Sequence, residues 1–178
     1  FRESSMSEQT QKWEPPSEPK VVSFGPYRAI GTRYVGRNEH NEIPAMWGND
    51  FLPRMGEIKM LDDAEFSVGV CRCLSGSTDG AFEYIAAAPA SKDAVVPEGM
   101  VEVVIPFGQY VAIPIQSLRE IHQAWCHSGD WFGDHPEWTG YCNKERCECA
   151  QHPGFEYYPP EFDGQGPLYI YLPIQPTI

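Results

Sequence analysis

The sequence predicts an α+β domain of two related halves, with one antiparallel sheet carrying a helix from each half. Three observations carry that prediction. FGPYRAI at 24–30 is echoed by FGQYVAI at 107–113, identical at five of seven positions, as an internal duplication requires. Ile43 and Trp47 in IPAMW stand four apart, as Ile121 and Trp125 do in IHQAW. FEYI at 82–85 is answered by FEYY at 155–158, so three echoes recur in one order.

Each half reads as strand, helix, then strands. In the first, VVSFGPYRAIGTRYV alternates apolar and polar residues as a half-buried strand does. Ile43, Trp47 and Phe51 then recur at helical spacing; Pro44 suits a first turn, and Pro53 ends or kinks the helix. EFSVGVCRCL at 65–74 and AFEYIAAA at 81–88 follow as strands, separated by the turn STDG at 77–80. After PEG at 97–99 the second half opens with MVEVVIPFGQYVAIP. Ser117 and Glu120 form a capping box, Leu118, Ile121 and Trp125 share one helical face, and Gly129 supplies a stop. GFEYY and LYIYLPI at 168–174 close the sheet. The expected boundaries are a polar leader at 1–20, with FRESS ahead of Met6 in the manner of a cloning remnant, and one domain at 21–178. Its repeats span about 21–98 and 99–178.

Such a duplication leaves a cleft along its seam, where residues of both halves converge. Glu156 sits between Phe155 and Tyr157 in a strand, so it faces either water or something that wants a negative charge. Trp47 and Trp125 read as core or as seam lining, and Tyr84 and Tyr110 are further candidates. Glu83 reads as a surface residue, because two unpaired carboxylates in one groove would repel.

The series FGPYRAI, a helix with Trp47, FEYI, PFGQYVAI, a helix with Trp125, PGFEYY and YIYLPI runs from about residue 20 to 175. It resembles the GyrI-like family, effector-binding domains found alone or behind AraC-type and MerR-type DNA-binding modules. The resemblance implies tandem β-α-β-β units with pseudo-twofold symmetry, in a curved antiparallel sheet with two helices on one side. It also implies an aromatic groove between the halves, a buried glutamate at the position of Glu156, and binding of lipophilic, frequently cationic, aromatic small molecules. Two alternatives come with it: a hydrolase opening strained cyclopropane rings with Glu156 as acid or base, and a modulator of a protein partner, as in a gyrase inhibitor. One segment departs from the family pattern, the Trp-, His- and Cys-rich stretch HSGDWFGDHPEWTGYCNKERCECAQH at 127–152.

With 25 acidic against 13 basic residues, the formal net charge of −12 repels phosphate backbones and anionic lipid and raises the local concentration of cations. Neither a nucleic-acid nor a membrane partner is expected, and twenty polar leading residues do not supply a helix-turn-helix. Without a secretion signal the expected location is the cytoplasm, where six cysteines stay reduced. Cys142, Cys147, Cys149 and His152 form C-x4-C-x-C-x2-H, whose single-residue gap is awkward for tetrahedral zinc. The preferred reading is free thiols, with metal and disulfide as alternatives. No nucleophile elbow, zinc-protease motif, GxGxxG or P-loop occurs, and no cofactor is expected.

Overall fold

The computed structural model describes residues 12–74, 78–143 and 145–178. Strands β1 (Lys20–Phe24), β2 (Tyr27–Gly36), β3 (Ser67–Cys73), β4 (Phe82–Pro89), β5 (Val101–Ile105), β6 (Gly108–Ile115), β7 (Trp138–Thr139), β8 (Gly154–Tyr158) and β9 (Leu168–Pro176) form an antiparallel sheet. Its order is β1-β6-β9-β8-β3-β4-β2-β5, with β7 paired to β9. Two long stretches expected as single strands are broken, at Gly25-Pro26 and at Pro106-Phe107. Gly25 takes φ +88°, and a Cβ there would stand 2.7 Å from the Pro106 carbonyl oxygen, so the two links lie against each other. They join opposite ends of the strand order and curl the sheet into a half-barrel.

The order reads alike from both ends. β2, helix α1 (Glu42–Met46), β3 and β4 form one unit, and β6, helix α2 (Ile121–His127), β8 and β9 the other. The echo pairs Ala29 with Ala112; their partners are Pro89 and Tyr171, so Ala87 matches Tyr169. Those two pair with Val68 and Tyr157, which are themselves partners across the seam. The pseudo-twofold axis therefore passes between Val68 and Tyr157, and Ser67 holds the position equivalent to Glu156.

That register corrects one expectation. FEYI lies in β4 and FEYY in β8, which are different strands of their units, so Glu83 and Glu156 are not equivalents. An aromatic-x-aromatic strand suits any central position of a sheet, which is why the echo misleads. Glu83 is also not at the surface. It is 8% exposed on the opposite face of the sheet, clamped by Arg33 Nε at 2.6 Å and by Arg72.

Both helices pack on one face. Ile43, Met46 and Phe51 cover Ile30, Tyr84, Ala86 and Ala88, while Ala124 and Trp125 cover Val111, Ile113, Leu168 and Ile170. The alanine run of β4 is a helix-former by propensity, but it is buried on both faces and its small side chains admit the first helix on one side and aromatic rings on the other. After α1 the chain does not stop at Pro53 as a simple helix would. It widens into a π-helical turn at Trp47–Phe51 and tightens into 3-10 geometry at Leu52–Glu57, with Pro53 in the first turn of the latter. The Ser117/Glu120 capping box opens a 3-10 turn that leads into α2. The other face buries an aromatic cluster of Phe24, Tyr27, Phe66, Tyr110, Phe155, Tyr157 and Tyr171.

Residues 1–11 of the expected leader and Ser77 of the STDG turn lie outside the described residues. Trp13, expected in that leader, is instead buried against the second half's core, and its indole N–H reaches Glu120 Oε1 at 3.3 Å. Among the described residues no helix is long and apolar enough to cross a membrane.

Candidate functional site

Strand alternation in β8 sends Phe155 and Tyr157 into the aromatic face and turns Glu156 and Tyr158 toward the helices. Across the seam Glu156 faces Gly69 of β3, whose missing side chain makes the space that two groups occupy. A Cβ on Gly69 would lie 2.0 Å from Tyr84 Oη and 2.6 Å from Glu156 Oε1. Tyr84 reaches in from β4 and donates to Oε1 at 2.6 Å, and Tyr158 donates to the same oxygen at 2.8 Å. Trp125 Nε1 donates to Oε2 at 2.9 Å from α2. Trp47 begins the π-helical turn and donates its indole N–H to Tyr84 Oη at 2.9 Å, with its ring centroid 5.2 Å from that of Tyr158. π-Helical turns recur at functional sites, and Trp47 holds the first position of this one.

Glu156 is 5% exposed, and among the described residues no lysine, arginine or histidine forms an ion pair with it. Three neutral donors hold the charge alone. Burial pushes its pKa above the ordinary 4.5, more than the hydrogen bonds from Tyr84, Trp125 and Tyr158 pull it down. Burial, then the neighbouring carboxylate, push the Tyr84 and Tyr158 hydroxyls well above the usual tyrosine range. Glu83 behaves oppositely. Burial raises its pKa too, but the Arg33 and Arg72 hydrogen bonds bring it below 4.5.

These shifts give opposite signs in stability. A carboxyl whose folded pKa lies above its unfolded value binds its proton more readily when folded, so Glu156 costs stability as pH rises from about 4.5 through its raised folded pKa. The Glu83 contribution is complete above 4.5 and is lost as pH falls through its depressed folded pKa. Because Gln cannot ionise, the Tm of the parent chain should rise relative to that of Glu156→Gln as pH is lowered toward 4.5. A pH-independent difference in thermal melts would contradict the buried, unpaired charge.

Of the residues singled out from the sequence, Glu156, Trp125, Tyr84 and Trp47 meet in one hydrogen-bonded chain. Tyr110 does not join them. It points to the opposite face of the sheet and donates to the Pro106 carbonyl oxygen at 2.6 Å, because β6 places Val111 and Ile113, not Tyr110, on the helix side. Two participants escaped sequence reasoning. Tyr158 stands two residues from Glu156 in one strand, so alternation alone signals it; Gly69 carries no signal without the register. The metal alternative divides, since Cys142, Cys147 and Cys149 cluster while His152 stacks on Tyr141 at 3.8 Å. Surface cavities of about 460 and 380 Å³ lie elsewhere, one between residues 12–19 and the turn at Ser128–Asp134, the other along Met60–Ser67. Neither is lined by Glu156.

The model of the integron-associated effector binding proteins (Cass2) matches residues 20–174. Among solved structures, that of SAV2435 bound to tetraphenylphosphonium aligns with a TM-score of 0.64 at 15% identity, over 89% of this chain and 94% of that one. The EcmrR C-terminal domain aligns with 0.62 at 10% identity, over 90% and 98%. An integron cassette protein from the mobile metagenome of Vibrio cholerae aligns with 0.53 at 16% identity, over 88% and 95%. No curated protein sequence matches. At these identities the structural likeness speaks to the fold, which agrees with the resemblance read from the sequence motifs.

Proposed function

Because the chain belongs to the integron-associated effector binding protein family, we propose that it binds a lipophilic organic cation between its two helical segments, with Glu156 as the counter-charge. One observation carries this reading: a carboxylate 5% exposed, ringed by Trp47, Tyr84, Trp125 and Tyr158, with no basic side chain paired to it among the described residues. An unpaired buried charge is expensive. A cation arriving there meets the missing opposite charge, and each aromatic face it touches adds about 0.5–2 kcal/mol of cation–π attraction. Aromatic walls and a single carboxylate suit a bulky organic cation better than a metal ion, which asks for several oxygen, nitrogen or sulfur donors.

On this reading the ligand enters by displacing Trp47 or Trp125, both half-buried. Trp47 stands on the π-helical turn and Trp125 on a two-turn helix flanked by 3-10 turns, segments with few regular hydrogen bonds to break. A ligand that takes the place of the Trp125 indole at Oε2 leaves the two tyrosine hydrogen bonds to Oε1 in place. The acidic surface draws cations toward the opening.

The reading is tested with an isosteric pair of opposite charge. Tetraphenylphosphonium is expected to bind one per chain by isothermal titration calorimetry and to raise Tm, while tetraphenylborate does neither. Equal binding of the two ions, or of neither, would overturn it.

A further inference from the structure

Outside the Glu156 site, the densest chemistry on the molecule is sulfur. Cys142 and Cys147 face each other across an isolated antiparallel bridge, closed by the Asn143 N–H to the Arg146 carbonyl at 2.7 Å. Their Sγ atoms stand 3.0 Å apart, and Cys147 Sγ stands 3.3 Å from Cys149 Sγ. Cys73, at the end of β3 and far away in sequence, points into the same spot: the sulfurs of Cys73, Cys147 and Cys149 all lie within 4.8 Å of one another. The Cys73 backbone N–H also donates to Cys149 Sγ at 3.0 Å, a bond of the kind that orients ligands around a metal.

We propose that Cys73, Cys142, Cys147 and Cys149 form a structural tetrathiolate site for Zn²⁺. The single-residue gap does not keep Cys147 and Cys149 apart in the folded chain, where their Sγ atoms stand 3.3 Å from each other, and β3 supplies the fourth ligand in place of His152. Four Zn–S bonds of about 2.3 Å in tetrahedral geometry set neighbouring sulfurs about 3.8 Å apart. Cys147 stands 3.0 and 3.3 Å from Cys142 and Cys149, Cys73 lies within 4.8 Å of Cys147 and Cys149, and Cys142, outside that mutual group, would turn its side chain inward to complete the tetrahedron. A disulfide explains the cluster less well, because Cys147 touches two sulfurs and any single bond leaves two more thiols packed against it. Thiolates select soft ions such as zinc, and binding releases the thiol protons to solvent. Cys73 belongs to the first half and the other three to the long insertion of the second. The ion would therefore staple the insertion to β3 and fix the loop that leads into β8, the strand of Glu156. The site stands independently of the cation-binding reading.

Elemental analysis of the reduced chain, purified from zinc-supplemented cells without chelator, is expected to give one zinc per chain. The apo chain should take up Co²⁺ with a thiolate charge-transfer band and tetrahedral d–d absorption. Cys73→Ser and Cys147→Ser should each lower metal affinity at least about tenfold, while Cys126→Ser and His152→Ala bind as the parent does. No zinc together with no Co²⁺ band in the parent chain overturns the proposal without reference to any variant's folding. So does a Cys142–Cys147 disulfide in the freshly purified protein, or metal lost in His152→Ala but kept in Cys73→Ser.

Discussion

Replacing Glu156 by Gln is expected to weaken tetraphenylphosphonium binding by roughly thirtyfold or more, since removing one partner of a buried charge pair costs about 2–5 kcal/mol. The substitution is nearly isosteric, and two effects on the free chain oppose each other. The amide oxygen can accept from Tyr84 and Tyr158 as Oε1 does, but the amide N–H₂ then meets the Trp125 indole N–H, donor against donor. That lost hydrogen bond costs about 1 kcal/mol, while removal of an unpaired buried charge offsets it. The melting temperature should therefore move by only a few degrees, and the affinity loss reads the charge and not the fold. Calorimetry on parent and variant above pH 7, with a thermal melt of each, makes the comparison. Undiminished affinity in a folded variant would remove Glu156 from the site. Lower pH should weaken the parent's binding as Glu156 protonates and leave the variant's residual binding unchanged.

What the sequence made legible was whatever depends on local pattern. The Ser117/Glu120 capping box, the Trp47 and Trp125 spacings and the alternation around Glu156 each involve residues within a few positions of one another, and each appears in the structure. The FGPYRAI echo likewise gave the true relation of β2 to β6. Register is non-local, and there the pattern failed. FEYI and FEYY look alike yet sit in strands of different rank, so Glu83 and Glu156 point to opposite faces and only Glu83 receives arginines. Tyr110 failed for the same reason, because one residue of register decides which face a side chain takes. Cys73 was missed as a neighbour of the Cys-rich loop since nothing in its own stretch tells that β3 ends beside it.

Gly69→Ala is expected to be the costliest single-methyl change at the site, lowering stability by about 3–5 kcal/mol of a total that for such domains is about 5–15. The new Cβ would stand 2.0 Å from Tyr84 Oη, 2.5 Å from its Cζ and 2.6 Å from Glu156 Oε1, all far inside contact distance. Tyr84 cannot yield easily, being fully buried among Ile43, Met46, Phe51 and Ala86 and fixed by the Trp47 indole. Whichever group moves, the Tyr84 to Glu156 hydrogen bond lengthens, and Oε1 keeps one donor of two. At about 2–4 °C per kcal/mol for a chain of this size, Tm should fall by about 10 °C. Overpacking is identified by its remedy. Tyr84→Leu removes the two nearest of the three atoms that the methyl strikes, leaving only Glu156 Oε1, so the Gly69→Ala/Tyr84→Leu double variant should be more stable than the sum of the single effects requires, with a coupling of about 1–3 kcal/mol. Strict additivity in denaturant unfolding would mean that Gly69 is not holding open the space in which Tyr84 and Glu156 meet.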